Sequence, residues 1–581
     1  MNTKIFTLEY FRERLAHLDA LPQYALLGVL SGIVAGVVIL IFRLTIEIPL
    51  QLWLPENNPE NFEALEPYLR FIAPLTGSIV VGLILSYLSK DARKLGVTLV
   101  LERLNFHEGH LRLRNTATQF LMGVISLVSG QSAGREGPAI HLGAACNSYL
   151  GRRFHLPNNS IRVLVGCGTA AAISASFNTP IAGVIFAMEV VMMEYTITGF
   201  TPVILASVSA AVISRMVYGA DTAFDVPAMS IQSLWDIPFT ILMGIILGAL
   251  ATIFIQITQF CTRFQHYPIL PRALLAGIFT GSIAFFIPSI MGIGYDSVNQ
   301  ALLGNLGLGM LCILTLGKLL ATAVPVGLGM PYSLIGPVIV LGASAGGALG
   351  LIGSTLLPDY SSDVGMYSML GMGAMMGAVL NAPLAALMAL LELTGNPNII
   401  LPGMLIIVIA NLTTRGIFKQ KSIFNTLLAA QDIHLRDAPV LQALSRTGVA
   451  SLMNKNIISH HRKIPIQAAA ELLINKPEWI ILLEDRKPIS LLPAVDLARF
   501  LAEENNSETN QEDKEIDLLT IPARRRDIKR IHRQATLQEA LDTLHQYHIE
   551  ALYVERVHAP MITSVMGIVT RQDIENFYLH K

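Results

Sequence analysis

The stretch GQSAGREGPAIHLGA, from Gly130 to Ala144, places an arginine and a glutamate side by side just after the apolar run FLMGVISLVS. A charge at the centre of a bilayer costs roughly 3 kcal/mol on insertion scales, so one that is kept there is a candidate functional group. The neighbours of Glu136 say what chemistry is on offer. Gly134 and Gly137 let the backbone turn freely or approach a ligand closely. Pro138 suits the first turn of a helix, where its missing N–H costs nothing. The amides that follow carry partial positive charge, so a helix start at mid-membrane is an anion site. The Glu136 carboxylate lies at its mouth, where it can occupy the place of an anion and be released by protonation. The competing reading pairs Glu136 with an arginine of another helix and gives it only a structural role. Arg135 points elsewhere on such a helix, toward backbone carbonyls.

This helix start has a counterpart. GPAIHLGAACNSYLG (137–151) matches GPVIVLGASAGGALG (336–350), and GTAAAISASFNTPIAGVIFAMEV (168–190) matches GMGAMMGAVLNAPLAALMALLEL (371–393). Pro138/Pro337, Asn178/Asn381, Pro180/Pro383 and Glu189/Glu392 recur in the same order at nearly constant spacing. Repeats of this kind in transport proteins often have inverted topology, with the ion site near the midplane where broken helices of both halves meet. Gly336–Pro337 therefore offers a second anion-facing helix start. The equivalence of Glu189 and Glu392 favours a structural role for both, such as capping.

Other chemistry is weaker. GQSAG (130–134) fits the G-x-S-x-G nucleophile elbow, but no strand precedes it, and the reading is that the chain is not an enzyme. His141 reads as packed. Cys146, Cys167, Cys261 and Cys312 sit in apolar segments without metal-ligand spacing.

The elements that must hold these residues are mostly apolar helices. The 581 residues are 52% hydrophobic and 14% charged, where soluble domains carry about 25%. Apolar segments fill the chain from residue 24 to about 413, and many are shorter than a bilayer-spanning helix or are broken by Gly and Pro. Such segments are tolerated only when buried in protein or lining a cavity, which argues for a transporter or channel. Net charge is −1, so no global field points to nucleic acid. By the positive-inside rule the basic KDARK loop (90–94) lies inside, the acidic LPENNPENFEALEP loop (54–67) outside, and the N-terminus inside. Beyond residue 419 charge rises and short β-rich runs alternate with helical ones, so an α/β region follows. The expected organisation is an N-terminal cytoplasmic amphipathic helix (1–22), two membrane repeats (23–225 and 226–430), and two similar soluble halves (431–501 and 516–581) joined by an acidic linker (502–515).

GREGP (134–138), FNTPIAGVIFAMEV (177–190) and NAPLAALMALLELT (381–394) resemble the CLC chloride channel and transporter family, and GIVTRQD (567–573) is similar to the closing signature of tandem CBS motifs. Together the resemblances cover essentially the whole chain. They imply a mostly α polytopic membrane protein, a CLC-type inverted-repeat bundle followed by a small cytoplasmic CBS pair. They also imply a homodimer with a pore in each subunit, in the bilayer of a bacterial inner membrane, with both termini cytoplasmic. Glu136 matches the family's gating glutamate, and the anion-binding positions map to Gly134, Arg135, Glu136, Gly137, Leu95, Gly96, Ile335, Gly336, Pro337 and Phe424. The family's selectivity serine is Leu95 here, its phenylalanine is Ile335, and its central tyrosine is Phe424. The inner proton glutamate of coupled members is Val190, which cannot relay protons. The expected function is channel-like conduction of chloride or a similar small anion, gated by Glu136. The alternative is a proton-coupled anion antiporter. A membrane protein that senses nucleotide without transport is the alternative of another class. A CBS-bearing divalent-cation channel fits less well, since the site is built from glycines and helix starts, not acids. No cofactor is required; an adenine nucleotide at the CBS pair would meet Thr570 and Asp573, whereas the first half has Pro493 near the equivalent slot.

Overall fold

The computed structural model describes residues 20–579 apart from 196, parts of 225–235 and 357–360, 434–443, 445–446, 485–486, 505–514 and 560–561. Most of the expected N-terminal helix and of the acidic linker thus lies outside the described residues. Contacts divide the chain into a helical unit, Ala20–His155 with Ile161–Leu435, and a smaller unit made mainly of Arg436–Lys581.

Among the described residues, nine helices are long and apolar enough to cross a membrane. Large apolar side chains such as Ile41, Ile245, Leu275 and Leu316 stand exposed along them, a surface suited to hydrocarbon. The helices that build the site are α1 (Ala20–Trp53), α2 (Gly96–Phe106), α3 (Glu136–Arg153), α4 (Pro180–Phe186), α5 (Tyr295–Leu302), α6 (Leu308–Gly327), α7 (Ile335–Leu356), α8 (Pro383–Thr394) and α9 (Ile423–Ala429). Several are too short to span. At 1.5 Å per residue, α2 reaches only about 16 Å of a roughly 30 Å hydrocarbon layer. Its side chains Val97, Leu99, Val100 and Leu101 are buried, so the body of this short helix is packed in protein.

The repeat is visible in atomic contacts. Gly134 and Ser333, equivalent positions just before α3 and α7, form an antiparallel bridge in which the Gly134 amide donates to the Ser333 carbonyl at 2.9 Å. Equivalent segments that meet antiparallel are related by a two-fold axis through the contact. The same relation recurs at the helix crossings. A Cβ on Gly143 would lie 2.3 Å from the Gly168 carbonyl oxygen, and one on Gly342 would lie 2.4 Å from that of Gly371. Each half thus packs its central helix onto the next backbone to backbone, as small residues allow in membranes. Glu189 and Glu392 complete the exchange. Glu392 accepts from the Ile181 and Ala182 amides of α4 at 2.9 and 2.7 Å. Glu189 accepts from the equivalent Leu384 and Ala385 amides of α8 at 3.3 and 2.7 Å. Each carboxylate caps a helix start that belongs to the other half.

In the smaller unit, the strands are β1 (Ile457–His461), β2 (Lys463–Pro465), β3 (Trp479–Glu484), β4 (Lys487–Pro493), β5 (Glu515–Asp517), β6 (Arg526–His532), β7 (Ala551–Ala559) and β8 (Ile562–Thr570). A six-stranded sheet runs β1-β3-β4-β6-β7-β8, and β2 pairs with β5. The two halves match: β1 and β6 run parallel to β3 and β7, which form hairpins with β4 and β8. A helix follows each hairpin, and each half has its own core, around Ile480, Leu482, Leu492 and Leu497 or around Leu552, Val554, Val569 and Ile574. This small α/β region is consistent with the CBS-type pair that the tail resembles.

Candidate functional site

Glu136 opens α3 and is fully buried. Its Oε1 accepts from the Tyr295 hydroxyl at 2.9 Å. Its Oε2 accepts from the Gly336 amide at 3.1 Å and from the Ser333 hydroxyl at 3.3 Å. Gly336 is in the first turn of α7, so the carboxylate of the first half sits on the helix start of the second. Backbone shape permits this: a Cβ on Gly134 would fall 1.9 Å from Oε2, and one on Gly336 would fall 3.1 Å from Oε1. Pro337 follows at the position where no amide is required. No cation pairs with Glu136 among the described residues.

The arginine pairing belongs instead to Glu47, on α1. It accepts from Arg135 at 3.3 Å, from Arg43 at 3.2 Å and from the Tyr218 hydroxyl at 2.7 Å. Arg135 also donates to the Ser176 carbonyl at 2.9 Å. Its guanidinium is therefore engaged by groups other than its sequence neighbour, as the carbonyl reading anticipates. A second buried cation, Lys318 on α6, donates to the Ile290 and Gly292 carbonyls at 3.0 and 3.1 Å.

Several sequence-derived positions share a cavity of about 630 Å³ lined by Leu95, Gly96, Gly137, Ser333, Ile335 and Phe424, with Lys90, Arg93, Lys94 and Arg272 but no carboxylate along its wall. Leu95 and Phe424 present apolar side chains here. Two of the expected anion-binding amides are already bonded: Gly96 donates to Gln119 at 2.6 Å, and Gly137 donates to the Ser333 hydroxyl oxygen at 3.0 Å. On another side, Glu136 borders an almost wholly apolar cavity of about 20 Å³, walled by Ile173, Phe177, Phe186, Ile339 and Leu393. Val190 is buried in the helical turn Ala187–Met192 beyond α4. Ser132, the nucleophile of the hydrolase reading, follows a helix instead of a strand, and its hydroxyl pairs with that of Thr322 at 2.9 Å. His141 is buried, with Nδ1 3.2 Å from Gln119. In the smaller unit, the Thr570 hydroxyl donates to Asp573 at 2.7 Å, and the Asp573 amide donates back at 3.2 Å, so the pair caps the last helix.

The Glu136 carboxylate thus sits among an amide and two hydroxyls where the two repeats meet, in no ion pair among the described residues. Residues 77–415 match the family described as voltage gated chloride channel. The chain belongs to the CLC family. A putative chloride channel protein ClcB-like of Ralstonia nicotianae is 29% identical over 377 residues, which are 63% of this chain and 88% of that relative. The H(+)/Cl(-) exchange transporter ClcA of Vibrio cholerae is 29% identical over 295 residues, 49% of this chain and 63% of its own length; the chain thus spans a little under two thirds of that relative. Among solved structures, a slow cyanobacterial Cl-/H+ antiporter superposes with TM-score 0.62 at 22% identity, over 72% of this chain and 99% of that one. A eukaryotic CLC transporter superposes with TM-score 0.58 at 16% identity, over 97% of this chain and 98% of that one. The CLC likeness in the sequence is borne out, and with it the integral membrane character of the helical unit.

Tyr295 and Glu47 lay outside the sequence reading, and Ser333, which opens the motif segment SLIGP (333–337), had no role in it. All three reach Glu136 or Arg135 from segments far away in the chain. The repeat also pointed to Ser333, which is the equivalent of Gly134 and bridges to it.

Proposed function

We propose that this CLC protein conducts chloride or a similar small anion and that Glu136 is the gate. The observation that carries this reading is the Glu136 carboxylate at the start of α7, bonded to Gly336 and two hydroxyls and in no ion pair among the described residues. Those donors are what an anion requires, so the carboxylate and the anion exclude one another. The 630 Å³ cavity, basic and free of carboxylates, supplies the approach from the KDARK side, which we take as cytoplasmic. Conduction is channel-like on this reading: Val190 has no proton to exchange, Glu189 is bonded to two amides of α8, and the apolar cavity beside Glu136 offers no relay. The exchanger names of the Vibrio relatives favour the second reading, proton-coupled antiport. The protein is expected to be a homodimer in a bacterial inner membrane.

The soluble halves are proposed to form a CBS pair. An adenine nucleotide fits the second half, where Thr570 and Asp573 present a hydroxyl and a carboxylate together, better than the first, where Pro493 has neither.

Anion flux from reconstituted liposomes tests both readings, with and without a pH gradient. Flux should rise on acidification in the wild type, and Glu136→Gln should make it independent of pH. An unchanged pH dependence in the variant overturns the gate. A reversal potential that ignores the pH gradient excludes antiport, and one that follows it excludes the channel.

A further inference from the structure

We propose that Tyr295 is a positioning residue that latches the gate in its closed place, and that its hydroxyl and that of Ser333 pass to the anion when Glu136 leaves. This rests on the reading of Glu136 as gate. Three donors converge on two carboxylate oxygens from separate parts of the fold: Tyr295 at the start of α5, Ser333 before α7, and the Gly336 amide in α7. Each is fixed by a second contact. The Ser333 oxygen accepts from the Gly137 amide at 3.0 Å, which leaves its hydrogen for Glu136. The Tyr295 ring lies against Phe177 and Phe224, with centroids 6.2 and 5.4 Å away. The turn that delivers it needs Gly292 and Gly294, at φ 59° and 85°, and Lys318 ties down its carbonyls.

The reason to assign these hydroxyls to the anion is what the rest of the pathway lacks. Leu95 and Phe424, which line the 630 Å³ cavity, have no hydroxyl, and the Gly96 amide there is already bonded to Gln119. The Thr98 and Tyr332 hydroxyls that also line it are taken up by the Leu95 carbonyl and by Ser78, whereas Tyr295 and Ser333 both aim hydroxyls at the Glu136 position. A site that satisfies an acceptor with oriented donors discriminates sharply against ligands that leave those donors unpaired. Selection of a small inorganic anion therefore falls to Tyr295 and Ser333.

The test is liposome flux with chloride as the probe, measured from pH 5 to 8. The isosteric Tyr295→Phe keeps the aromatic contacts and removes one bond to a charged group. Flux at pH 7 should rise roughly tenfold, and the pH of half-maximal flux should move up by about one unit, because only the ionised gate loses its donor. The other charged groups near the gate stay in place: Arg135, 5.9 Å from the ring, Lys318 beneath the turn, and Asp296, whose amide donates to Glu60. In a Glu136→Ala background, Tyr295→Phe should instead raise the chloride concentration for half-maximal flux and spare the maximum, a reversal that a structural role does not produce. A ring-fluorinated tyrosine at 295, a stronger donor of the same shape, should shift the pH profile the opposite way, and it decides the matter should the phenylalanine variant fold poorly. A wild-type profile in both 295 variants, beside a pH-independent Glu136→Gln, overturns the latch and leaves the gate standing. A wild-type profile in Glu136→Gln overturns the gate itself.

Discussion

A methyl group at residue 134 would land 1.9 Å from a carboxylate oxygen of Glu136, where no relaxation of Gly134 alone could make room. Gly134→Ala should therefore push the Glu136 carboxylate, the proposed gate, off the Gly336 amide without altering any titratable group. Flux at neutral pH should rise several-fold toward the acid value, and the slope of flux against pH should flatten, measurable in the same liposomes. At this scale the sequence was partly legible. Glu136, Gly134 and Pro337 stood out because a charge, a glycine and a proline each have strong local meaning inside an apolar run. Tyr295 and Ser333 did not, because a hydroxyl at a helix start has no meaning until its partner, 159 or 197 residues distant, is in place. Arg135 drew attention as the neighbour of Glu136, yet it pairs with Glu47, 88 residues earlier.

Elements explain why the broken helices hold. The starts of α4 and α8 are each capped by a glutamate from the opposite half, so Glu189 and Glu392 link the halves where a continuous helix would have linked them. Glu189→Gln and Glu392→Gln should each lower thermal stability of the purified protein, by about 1 kcal/mol for a lost cap, while the pH dependence of flux persists. Loss of that dependence in Glu189→Gln alone would give this residue a proton-handling role instead. The paired positions in the repeat anticipated this symmetry, since one-sided proton chemistry needs no twin. In the smaller unit, the β2–β5 pair is clamped by Arg462, which reaches Asp517 at 2.8 Å and holds its carboxyl below the ordinary carboxylate range. A depressed folded-state value means that this contribution is present above the unfolded value of about 3.9 and is lost as pH falls through the lower folded one. Hydrogen exchange across 515–517 should stay slow to below about pH 4, and Arg462→Met should make that protection fail at a higher pH.

At the scale of the whole molecule, two internally symmetric units follow one another, and the sequence separates them by a change in composition near residue 419 while contacts divide them at Leu435 and Arg436. The cyanobacterial antiporter structure is matched over 99% of its length by 72% of this chain, so the helical fold closes without a counterpart for the remainder. Glu136, the repeat contacts and the 630 Å³ cavity all lie within Ala20–Leu435. A chain ending at Leu435 should accordingly reconstitute with chloride flux and a Glu136-dependent pH profile like those of the full chain. On the proposed reading the tail regulates flux and does not conduct. ATP or AMP should change flux in the full chain and leave the shortened one unaffected. Thr570→Val with Asp573→Asn should remove the response, because it deletes the hydroxyl and the charge that the second half presents together. Direct binding of labelled nucleotide separates the outcomes. Binding without an effect on flux would make the tail a nucleotide site uncoupled from transport, and no binding would make it an assembly module, with self-association of the full and shortened chains as the remaining comparison.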